Sequence, residues 1–364
     1  MARIEFKNVG HSYYGKSDNL EEYALQPMNL FWDNGEKYAL LGPSGCGKTT
    51  LLNIISGLVR PSDGRVLFDG EDITDLPTAK RNIAQVFQFP VIYTTMNVYN
   101  NLAFPLRCRK LPRTEIDAKV KDVAKLLNLT YVLSKPGLGL TADAKQLISL
   151  GRGLVRNDVA VIMLDEPLTV VDPHLKWKLR RKLKEVNKAY KLTMILVTHD
   201  QNEAMTFADK VVLMRDGQII QVGTPQELFE NPQHTFTGYF IGSPAMNFMP
   251  CRLENNALMV KNTRIPLPGL ENCRKKLDGS IELGIRPEFL RLEAIPSPDA
   301  VSVPIVDVRD LGSFSIATVV LEGQELKVKV PKAQPLPKDQ GYLSFPPKWT
   351  KLYHEDKLVE ISCP

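Results

Sequence analysis

The stretch GPSGCGKTT, Gly42 to Thr50, decides the fold of this chain. It has the spacing G-x-x-x-x-G-K-T, follows the strand-like run KYALL and opens the helical run TTLLNIIS, as a phosphate-binding loop requires. Glycines let backbone N–H groups converge on phosphate oxygens, and the helix N-terminus adds positive potential. Lys48 supplies a charge for the β- and γ-phosphates, and Thr49 supplies a hydroxyl ligand for Mg²⁺. The candidate nucleotide-binding residues of this loop are Gly42, Pro43, Ser44, Gly45, Cys46, Gly47, Lys48, Thr49 and Thr50.

Two further apolar runs end in side chains that suit nucleotide hydrolysis. VAVIMLDEP, Val159 to Pro167, ends its apolar part at Asp165 and Glu166. The first carboxylate can hold the Mg²⁺ shell, and the second can orient and deprotonate an attacking water. TMILVTHD, Thr193 to Asp200, ends in the same way, which places His199 at the carboxyl edge of a sheet, near the γ-phosphate. A lone histidine is more often structural, so its position at a strand end is what favours a catalytic role.

Buried-strand candidates alternate with helical segments in the middle of the chain. This βαβ rhythm predicts a parallel sheet. Helical patterns dominate residues 97–156, and we expect a helical subdomain over about 90–156, punctuated by prolines such as Pro105. The turn signals Asp33-Asn34-Gly35 and Asp216-Gly217 each predict a hairpin. The strand candidates are residues 159–164, 193–198 and 210–215.

The composition of the chain and its pattern of predicted elements change after residue 240. Prolines become frequent, long helical patterns vanish, and short strand-like runs such as SIATVVLE and ELKVKV appear. This pattern is typical of a small all-β barrel. We therefore expect two domains, a nucleotide-binding α/β domain over residues 1–240 and an all-β domain over 241–364.

Composition and charge restrict the classes of function. The 364 residues are 43% hydrophobic and 24% charged, with a formal net charge of +5, which does not indicate nucleic-acid binding. The apolar runs are too short to cross a bilayer and the start lacks the apolar core of a signal peptide, so we expect a cytosolic chain. Its five cysteines lack metal-ligand spacing and indicate neither disulfides nor zinc. The basic run Lys176–Lys184 is interpreted as a solvated helix face.

These motifs resemble, in order and spacing, those of the ATP-binding subunit of an ABC transporter. The resemblance implies a P-loop NTPase domain of α/β class with a helical subdomain, and ATP and Mg²⁺ as cofactors. Tyr14 in HSYYG resembles the aromatic residue that stacks on adenine, with Tyr13 as the alternative. Lys48, Gln88, Glu166 and His199 would be catalytic, and Thr49, Gln88 and Asp165 would hold the metal. The matching motifs are GPSGCGKTT (Walker A), VIMLDEP (Walker B), VFQFP with Gln88 (Q-loop), TVVD with Asp172 (D-loop) and VTHD with His199 (switch histidine).

The second domain narrows the resemblance. GSPAMNFMP (Gly242–Pro250) and GIRPEFLRL (Gly284–Leu292) resemble the carbohydrate-importer subgroup, of the maltose and glycerol-3-phosphate type, whose ATPases carry a C-terminal OB-like regulatory domain. KSDNLEEYAL, NIAQVFQFPVIYTTMNVYNNLAFPL and LTADAKQ resemble an ATPase subunit of a bacterial glycerol importer. The resemblance thus implies a sugar or polyol importer, with a glycerol-like substrate favoured.

The resemblance also implies partners and a location. The subunit would lie peripherally on the cytoplasmic side of the inner membrane, bound to transmembrane permease subunits. An extracytoplasmic binding protein would supply the substrate, and the chain would touch it only indirectly. The permease would contact the surface around Gln88 to Tyr93, so we expect Phe87, Phe89 and Tyr93 to be partly exposed; the alternative is that these aromatic rings are core.

One motif departs from the family pattern. In the family the turn before the Walker B strand is LSGGQ, which clamps the γ-phosphate of ATP held by the other subunit of a dimer. Residues 140–144 here are LTADA: Thr141 keeps a hydroxyl and can N-cap the next helix, Ala142 adds little bulk, and Asp143 brings a carboxylate to a triphosphate. Together with Asp172, these residues would face the second ATP-binding subunit, and a heterodimer is favoured over a homodimer. The alternative is that Asp143 turns aside and LTADA works normally.

Two other classes of function compete with transport. An ABC-type ATPase acting on nucleic acid would carry a coiled-coil insertion or two ATPase domains, and residues 90–140 show no sustained heptads. We therefore expect no nucleic-acid partner. A regulatory module that binds ATP without efficient hydrolysis is disfavoured by Gln88, Glu166 and His199, and favoured by Asp143.

Overall fold

A mainly parallel sheet, as the apolar runs predict, lies at the centre of the N-terminal part of the chain. The structure is a computed structural model that describes residues 3–15, 19–169, 171–254, 257–265 and 281–359. The chain divides into two compact units, residues 1–225 and 226–364. The domain boundary expected at residues 240 and 241 stays a prediction.

The first unit contains an antiparallel sheet, a mainly parallel sheet and a set of helices. Its strands are β1 (Ile4–His11), β2 (Leu25–Trp32), β3 (Lys37–Leu41), β4 (Asp63–Phe68), β5 (Glu71–Asp72), β6 (Ile83–Val86), β7 (Val161–Asp165), β8 (Thr193–Thr198), β9 (Lys210–Arg215) and β10 (Gln218–Gly223). Its helices are α1 (Lys48–Ser56), α2 (Val98–Cys108), α3 (Arg113–Leu126), α4 (Ala142–Leu154), α5 (Pro173–Tyr190) and α6 (Gln201–Phe207). The antiparallel sheet has the order β2-β1-β4-β5, and the larger sheet has the order β10-β9-β3-β8-β7-β6, parallel except at β10.

The central residues of the parallel strands β3, β7 and β9 are apolar because both faces of the sheet are covered, and their charged residues lie at the strand ends. In β7, Val161 and Met163 pack in one core with α1 and the antiparallel sheet. Ile162 and Leu164, which point to the opposite face, pack in a second core with α2, α3, α4 and α5. The predicted strands at 159–164, 193–198 and 210–215 are therefore confirmed as β7, β8 and β9.

One of the two hairpin predictions is wrong. Asp216-Gly217 joins β9 to β10 as an antiparallel pair, as expected. Asp33-Asn34-Gly35, however, joins β2, which pairs with β1, to β3, which pairs in parallel with β8 and β9. The chain does turn there, but the run KYALL, buried from Tyr38 to Leu41, lies at the centre of the covered sheet, so its partners come from distant sequence.

Three helices, α2 to α4, fill the region in which helical patterns dominate the sequence. Pro105 is expected to mark a break in this region. It does not, because it lies inside α2. The basic run Lys176–Lys184 lies on α5, where Arg181 and Lys182 both pair with Glu185. Its interpretation as a helix face is confirmed, although Leu179 and Leu183 on the same helix are buried.

The second unit carries short helices followed by two antiparallel sheets. The helices are α7 (Pro225–Glu230) and α8 (Thr235–Phe240). One sheet contains β11 (Asn247–Glu254), β12 (Ala257–Val260), β13 (Thr263–Ile265), β14 (Ile281–Ile285), β20 (Lys351–His354) and β21 (Lys357–Val359). The other contains β15 (Arg291–Glu293), β16 (Ala300–Asp310), β17 (Phe314–Leu321), β18 (Gln324–Pro331) and β19 (Gln340–Ser344). Apolar residues of both sheets form one core. The all-β character expected from residue 241 onward is therefore confirmed for the described residues.

A buried arginine ties the short helices of the second unit to its sheets. Arg286 follows β14, and its guanidinium donates to the carbonyls of Leu228, Phe229 and Ile241. It also lies 4.2 Å from the centroid of the Phe229 ring. Burial lowers the pKa of Arg286 to about 10. The carbonyls it satisfies are those that a short helix leaves without partners at its C-terminal end.

The sequence indicates neither disulfides nor membrane-spanning segments. Cys46, Cys108 and Cys251 are free cysteines, whereas Cys273 and Cys363 lie outside the described residues. In the part of the chain that the structure describes, no helix is long and apolar enough to cross a lipid bilayer.

Candidate ATP-hydrolysis site

The candidate catalytic motifs meet because the strands that precede them end at one edge of the parallel sheet. Leu41 of β3 is level with Thr198 of β8, and Asp165 of β7 is level with Val197. Val86 of β6 is level with Leu164. The phosphate-binding loop follows Leu41, and the Q-loop follows Val86. Asp165 and Glu166 stand at the end of β7, and the switch histidine follows Thr198. They therefore share the carboxyl edge, where α/β sheets bind their ligands.

The phosphate-binding loop folds around its own lysine. Lys48 is buried, and its Nζ donates to the carbonyls of Gly42 and Pro43, each at 2.8 Å. Gly47, with φ of 98°, is the N-cap of α1, and a Cβ there would lie 2.5 Å from the Ala24 carbonyl oxygen. A Cβ at Gly42 would lie 2.2 Å from the Met214 carbonyl oxygen. Both glycines are thus required by packing as well as by backbone conformation.

The remaining loop residues divide into exposed and buried positions. Ser44, Gly45 and Thr49 are exposed, so the Thr49 hydroxyl is accessible to a metal ion. Cys46 is buried, burial raises the pKa of its thiol, and its Sγ lies 3.7 Å from Lys48 Nζ. Cys46 is thus a small, buried residue that packs inside the loop. Thr50 is buried beneath Tyr13, whose hydroxyl lies 3.1 Å from Thr50 Oγ1.

The two adjacent carboxylates have different environments. Asp165 is the last residue of β7, and burial, followed by the charge of Glu166, raises its pKa, while Lys48 acts in the opposite direction. Glu166 adopts a left-handed backbone conformation with φ of 45°, and its N–H donates to the Val197 carbonyl at 3.0 Å. Its Oε1 lies 3.1 Å from His199 Nδ1. Glu166 and His199 are therefore already in contact in the isolated chain.

The turn that carries His199 is held by hydrogen bonds on both sides. Asp200 caps α6 through the N–H groups of Asn202 and Glu203, and its own N–H donates to Thr198 Oγ1 at 3.0 Å. Thr198 Oγ1 in turn donates to the buried carboxylate of Glu203 at 2.7 Å. These contacts fix the backbone of His199, although its side chain is 55% exposed.

Gln88 and Tyr14, also expected at the site, lie at its margin. Gln88 is half-buried and follows β6 by two residues. Tyr14 is 88% exposed in the turn after β1, whereas Tyr13 packs its ring edge-on against His11, with centroids 4.6 Å apart. Tyr13 is itself 61% exposed, so both rings are accessible to a base. Tyr14 as the residue that stacks on adenine, with Tyr13 as the alternative, stays a prediction.

The turn that departs from the family pattern lies at the start of α4. Thr141 is the N-cap residue, but its side chain makes no capping hydrogen bond, and Ala142 is exposed. Asp143 lies in the first turn of α4, where the helix dipole favours a negative charge. It is half-buried and lines a cavity of about 470 Å³ together with Trp177 and Lys178 of α5. Asp172, exposed, accepts from the His174 N–H at 2.9 Å and caps α5.

The comparison with known proteins follows the same division of the chain. The family model for an ABC transporter matches residues 25–169, the MalK OB fold domain matches 242–290, and the TOBE domain matches 283–351. An sn-glycerol-3-phosphate import ATP-binding protein, UgpC of Paracoccus denitrificans, is 37% identical over 327 residues, which are 90% of this chain and 89% of the relative. The chain belongs to the ABC transporter ATP-binding family.

Other relatives agree with this assignment. The oligosaccharides import ATP-binding protein MsmX of Bacillus subtilis is 36% identical over 81% of this ABC ATPase and 80% of its own length. The solved structure of cbiO1 from Clostridium perfringens, part of the ABC transporter complex cbiONQ, is 30% identical, with a TM-score of 0.58 over 63% of this chain and 90% of that chain. The chain is thus an ATP-binding subunit of an importer and an ATPase. Transport is favoured over action on nucleic acid.

The residues present fit a magnesium ion held together with nucleotide phosphates. Asp165 and the exposed Thr49 supply the oxygen ligands that Mg²⁺ prefers. Within the described residues, no group of three or more His, Cys, Asp or Glu side chains could hold a metal by itself.

Three side chains outside the predicted site residues organise the site. Glu203 receives hydrogen bonds from Thr198 and, through its second oxygen, from Lys176 Nζ of α5 at 3.1 Å. Gln146 and Arg152 on α4 donate to carbonyls of the Q-loop segment. A buried carboxylate three residues after an N-cap is a capping-box signal that could have revealed Glu203. Gln146 and Arg152 fit the helix pattern of the family, but their contacts could not be read from the sequence because their partners lie about sixty residues away.

Proposed function

We propose that this ABC ATPase powers the import of a sugar or polyol, with a glycerol-like substrate favoured. The substrate class is supported by the names of its relatives, which import oligosaccharides or sn-glycerol-3-phosphate, and by the match to the MalK OB fold domain. No residue of the site described above is placed to contact a transported solute. The substrate class therefore rests on these relatives and on the match to the MalK OB fold domain.

The single observation that carries the ATPase assignment is the Glu166–His199 contact at the edge that also holds the Lys48 loop. We propose that Lys48 neutralises the β- and γ-phosphates and that loop N–H groups bind their oxygens. Glu166 orients the attacking water and accepts its proton, and His199 and Gln88 position the γ-phosphate and that water. Tyr14 stacks on the adenine.

We propose that Thr49, Asp165 and Gln88 hold the Mg²⁺ ion. When bound, the ion neutralises the charge that develops on the phosphates. Asp165 suits this position because its raised pKa shows that its charge is poorly compensated in the isolated chain. A cation there would favour the ionised form.

For partners we propose transmembrane permease subunits and a second ATP-binding subunit, with the chain peripheral on the cytoplasmic side of the inner membrane. A substrate-binding protein acts only indirectly. We favour a heterodimer, because Asp143 would bring a negative charge to the ATP held by the facing subunit. We call the LSGGQ turn of the family, and LTADA in this chain, the signature turn. In the heterodimer, one site combines this chain's Lys48 and Glu166 with an intact signature turn from the other subunit. Thr141, Ala142 and Asp172 would complete the interface from this side.

The experiment that tests this proposal is MgATP hydrolysis by the purified chain, with Glu166→Gln as the blank. The heterodimer predicts ATP binding without hydrolysis above the blank until a partner ATPase is added. Hydrolysis by the chain alone that rises steeply with protein concentration would instead support a homodimer with a working LTADA turn. Failure of the chain to bind ATP in either setting would contradict the ATPase assignment itself.

A further inference from the structure

The Q-loop segment, defined here as Phe87 to Asn97, is fastened to two helices through its backbone. Gln146 Nε2 of α4 donates to the Phe87 carbonyl at 3.2 Å, and Arg152 Nη1 donates to the Val91 carbonyl at 2.8 Å. Asn101 of α2 accepts from the Tyr93 N–H at 2.8 Å and donates to the Tyr93 carbonyl at 2.9 Å. A segment without strand or helix is thereby given a fixed path by three side chains.

The same arrangement leaves four apolar side chains of the segment exposed, while Ile92 packs against the core. Phe87, Phe89, Val91 and Tyr93 are 42%, 69%, 55% and 38% exposed. Several exposed apolar side chains in one short segment mark a surface that binds another protein. The expectation that its aromatic rings are partly exposed is therefore confirmed, and the fixed backbone presents them in one arrangement.

Helix α4 connects this surface to the signature turn. It begins at Ala142, directly after Thr141, and carries Gln146 on its second turn and Arg152 on its last. Gln146 is buried, and the Arg152 guanidinium lies 4.6 Å from the centroid of the Tyr93 ring. The helix is also packed closely against α2, since a Cβ at Gly151 would lie 2.5 Å from Leu102 Cδ2. The Q-loop segment and the turn at Thr141 are therefore joined through one helix.

We propose that Gln146 and Arg152 are positioning residues that make the permease-contacting segment and the signature turn move together. Docking of the permease on the exposed side chains would shift the backbone carbonyls of Phe87 and Val91. The two donors would transmit that shift along α4, over about 15 Å for its first ten residues, to Thr141 and the ATP of the facing subunit. This inference rests on the proposed transport function.

Within the described residues, two atoms of these side chains support a second arrangement. Gln146 Oε1 and Arg152 Nε are buried without a protein hydrogen-bond partner. Buried polar atoms are seldom left in this way, because each unmade hydrogen bond costs free energy. The contacts of Gln146 and Arg152 are thus incomplete in the isolated chain and have capacity for new ones when the segment moves.

The test uses the whole transporter, purified from its native membrane through a tag on this chain and reconstituted in proteoliposomes with glycerol as the probe. The variants are Arg152→Met and Gln146→Leu, which keep side-chain length but remove the donors. Arg152→Lys serves as the conservative rescue, because an ammonium can still reach a carbonyl and an aromatic face. Lys121→Met, on the exposed surface of α3, is the matched control.

We expect the permease to co-purify with every variant and the KM for MgATP to stay within about twofold of wild type. Glycerol-stimulated kcat should fall about tenfold or more in Arg152→Met, because one charge-assisted hydrogen bond is lost. It should recover at least in part in Arg152→Lys and be unchanged in Lys121→Met. A merely structural role would raise KM and lower kcat together, without rescue by lysine.

Three results would overturn the inference: wild-type kcat in Arg152→Met and Gln146→Leu, loss of co-purified permease, or a parallel loss of kcat and ATP affinity that lysine does not restore. Failure of the underlying transport proposal looks different. In that case, the wild-type transporter itself would show no hydrolysis that depends on glycerol and its binding protein, whatever the variants do.

Discussion

Asp143 offers a direct measure of how one charge in the signature turn limits the facing ATP site. The perturbation is Asp143→Asn, which removes the charge and keeps the size, beside Asp143→Gly, which restores the family residue. Asp143 lies in the first turn of α4. Loss of a charge there destabilises the helix by about 0.3–1 kcal/mol. The substitution to glycine adds about 0.5–1 kcal/mol more. Both variants should therefore remain folded at room temperature.

The effect on the facing site is expected to be larger. A carboxylate at about 4 Å from a phosphate charge costs about 4 kcal/mol at an effective dielectric constant of about 20, and about 2 kcal/mol at twice the distance. Removal of about 2 kcal/mol from the barrier raises the rate about 30-fold. The assay needs only the facing site to be active, so the variants are made in a Glu166→Gln background. That change silences the site built on this chain's own P-loop, and hydrolysis by the transporter then reports the facing site.

A rise of that order in Asp143→Asn, matched or exceeded by Asp143→Gly, would support charge repulsion as the reason for a heterodimer. The same low rate in all three chains would refute the reasoning. That outcome is physically possible because Asp143 also lines the cavity with Trp177 and Lys178. A carboxylate turned toward α5 would lie farther from the phosphates and be partly compensated by the lysine. Thermal unfolding of each variant controls for damage to α4.

Three further predictions concern stability and nucleotide binding. Because the pKa of Asp165 is raised above its ordinary 3.8, its ionised form opposes folding. Asp165→Asn should therefore have a higher Tm than wild type, by an amount that grows as pH rises above about 4, while hydrolysis is lost. An equal Tm difference at pH 3 and pH 7 would contradict this. Gly42→Ala should weaken binding of a fluorescent ATP analogue about tenfold or more, since its Cβ would lie 2.2 Å from the Met214 carbonyl oxygen. Arg286→Leu should lower the unfolding free energy of the second unit by about 2–5 kcal/mol in denaturant titration, because buried carbonyls lose their donor, and unaltered stability would show that those carbonyls find other partners.

The sequence predicts the catalytic edge well because each motif is local. A strand that is apolar on both faces must lie inside a covered sheet, and parallel strands bring their carboxyl ends together. Lys48, Glu166 and His199 could thus be placed from the residues that precede them. The partner of β3 could not, because Asp33-Asn34-Gly35 specifies a turn and says nothing about which strand pairs next. Contacts between distant segments, such as Arg152 with Val91, depend on the packing of whole helices.

The backbone of Glu166 shows what the motif alone does not contain. In an extended strand, adjacent side chains point to opposite faces, so Asp165 and Glu166 should diverge. A left-handed conformation at Glu166 ends the strand, and its N–H is retained by the Val197 carbonyl. Glu166 then contacts His199, while burial, followed by the charge of Glu166, raises the pKa of Asp165. For a non-glycine residue this conformation costs about 1–2 kcal/mol, and such local strain persists where the surrounding structure enforces it. In the proposed mechanism this conformation positions Glu166 as the base, which is why a glutamine, with the same shape, is the appropriate blank for hydrolysis.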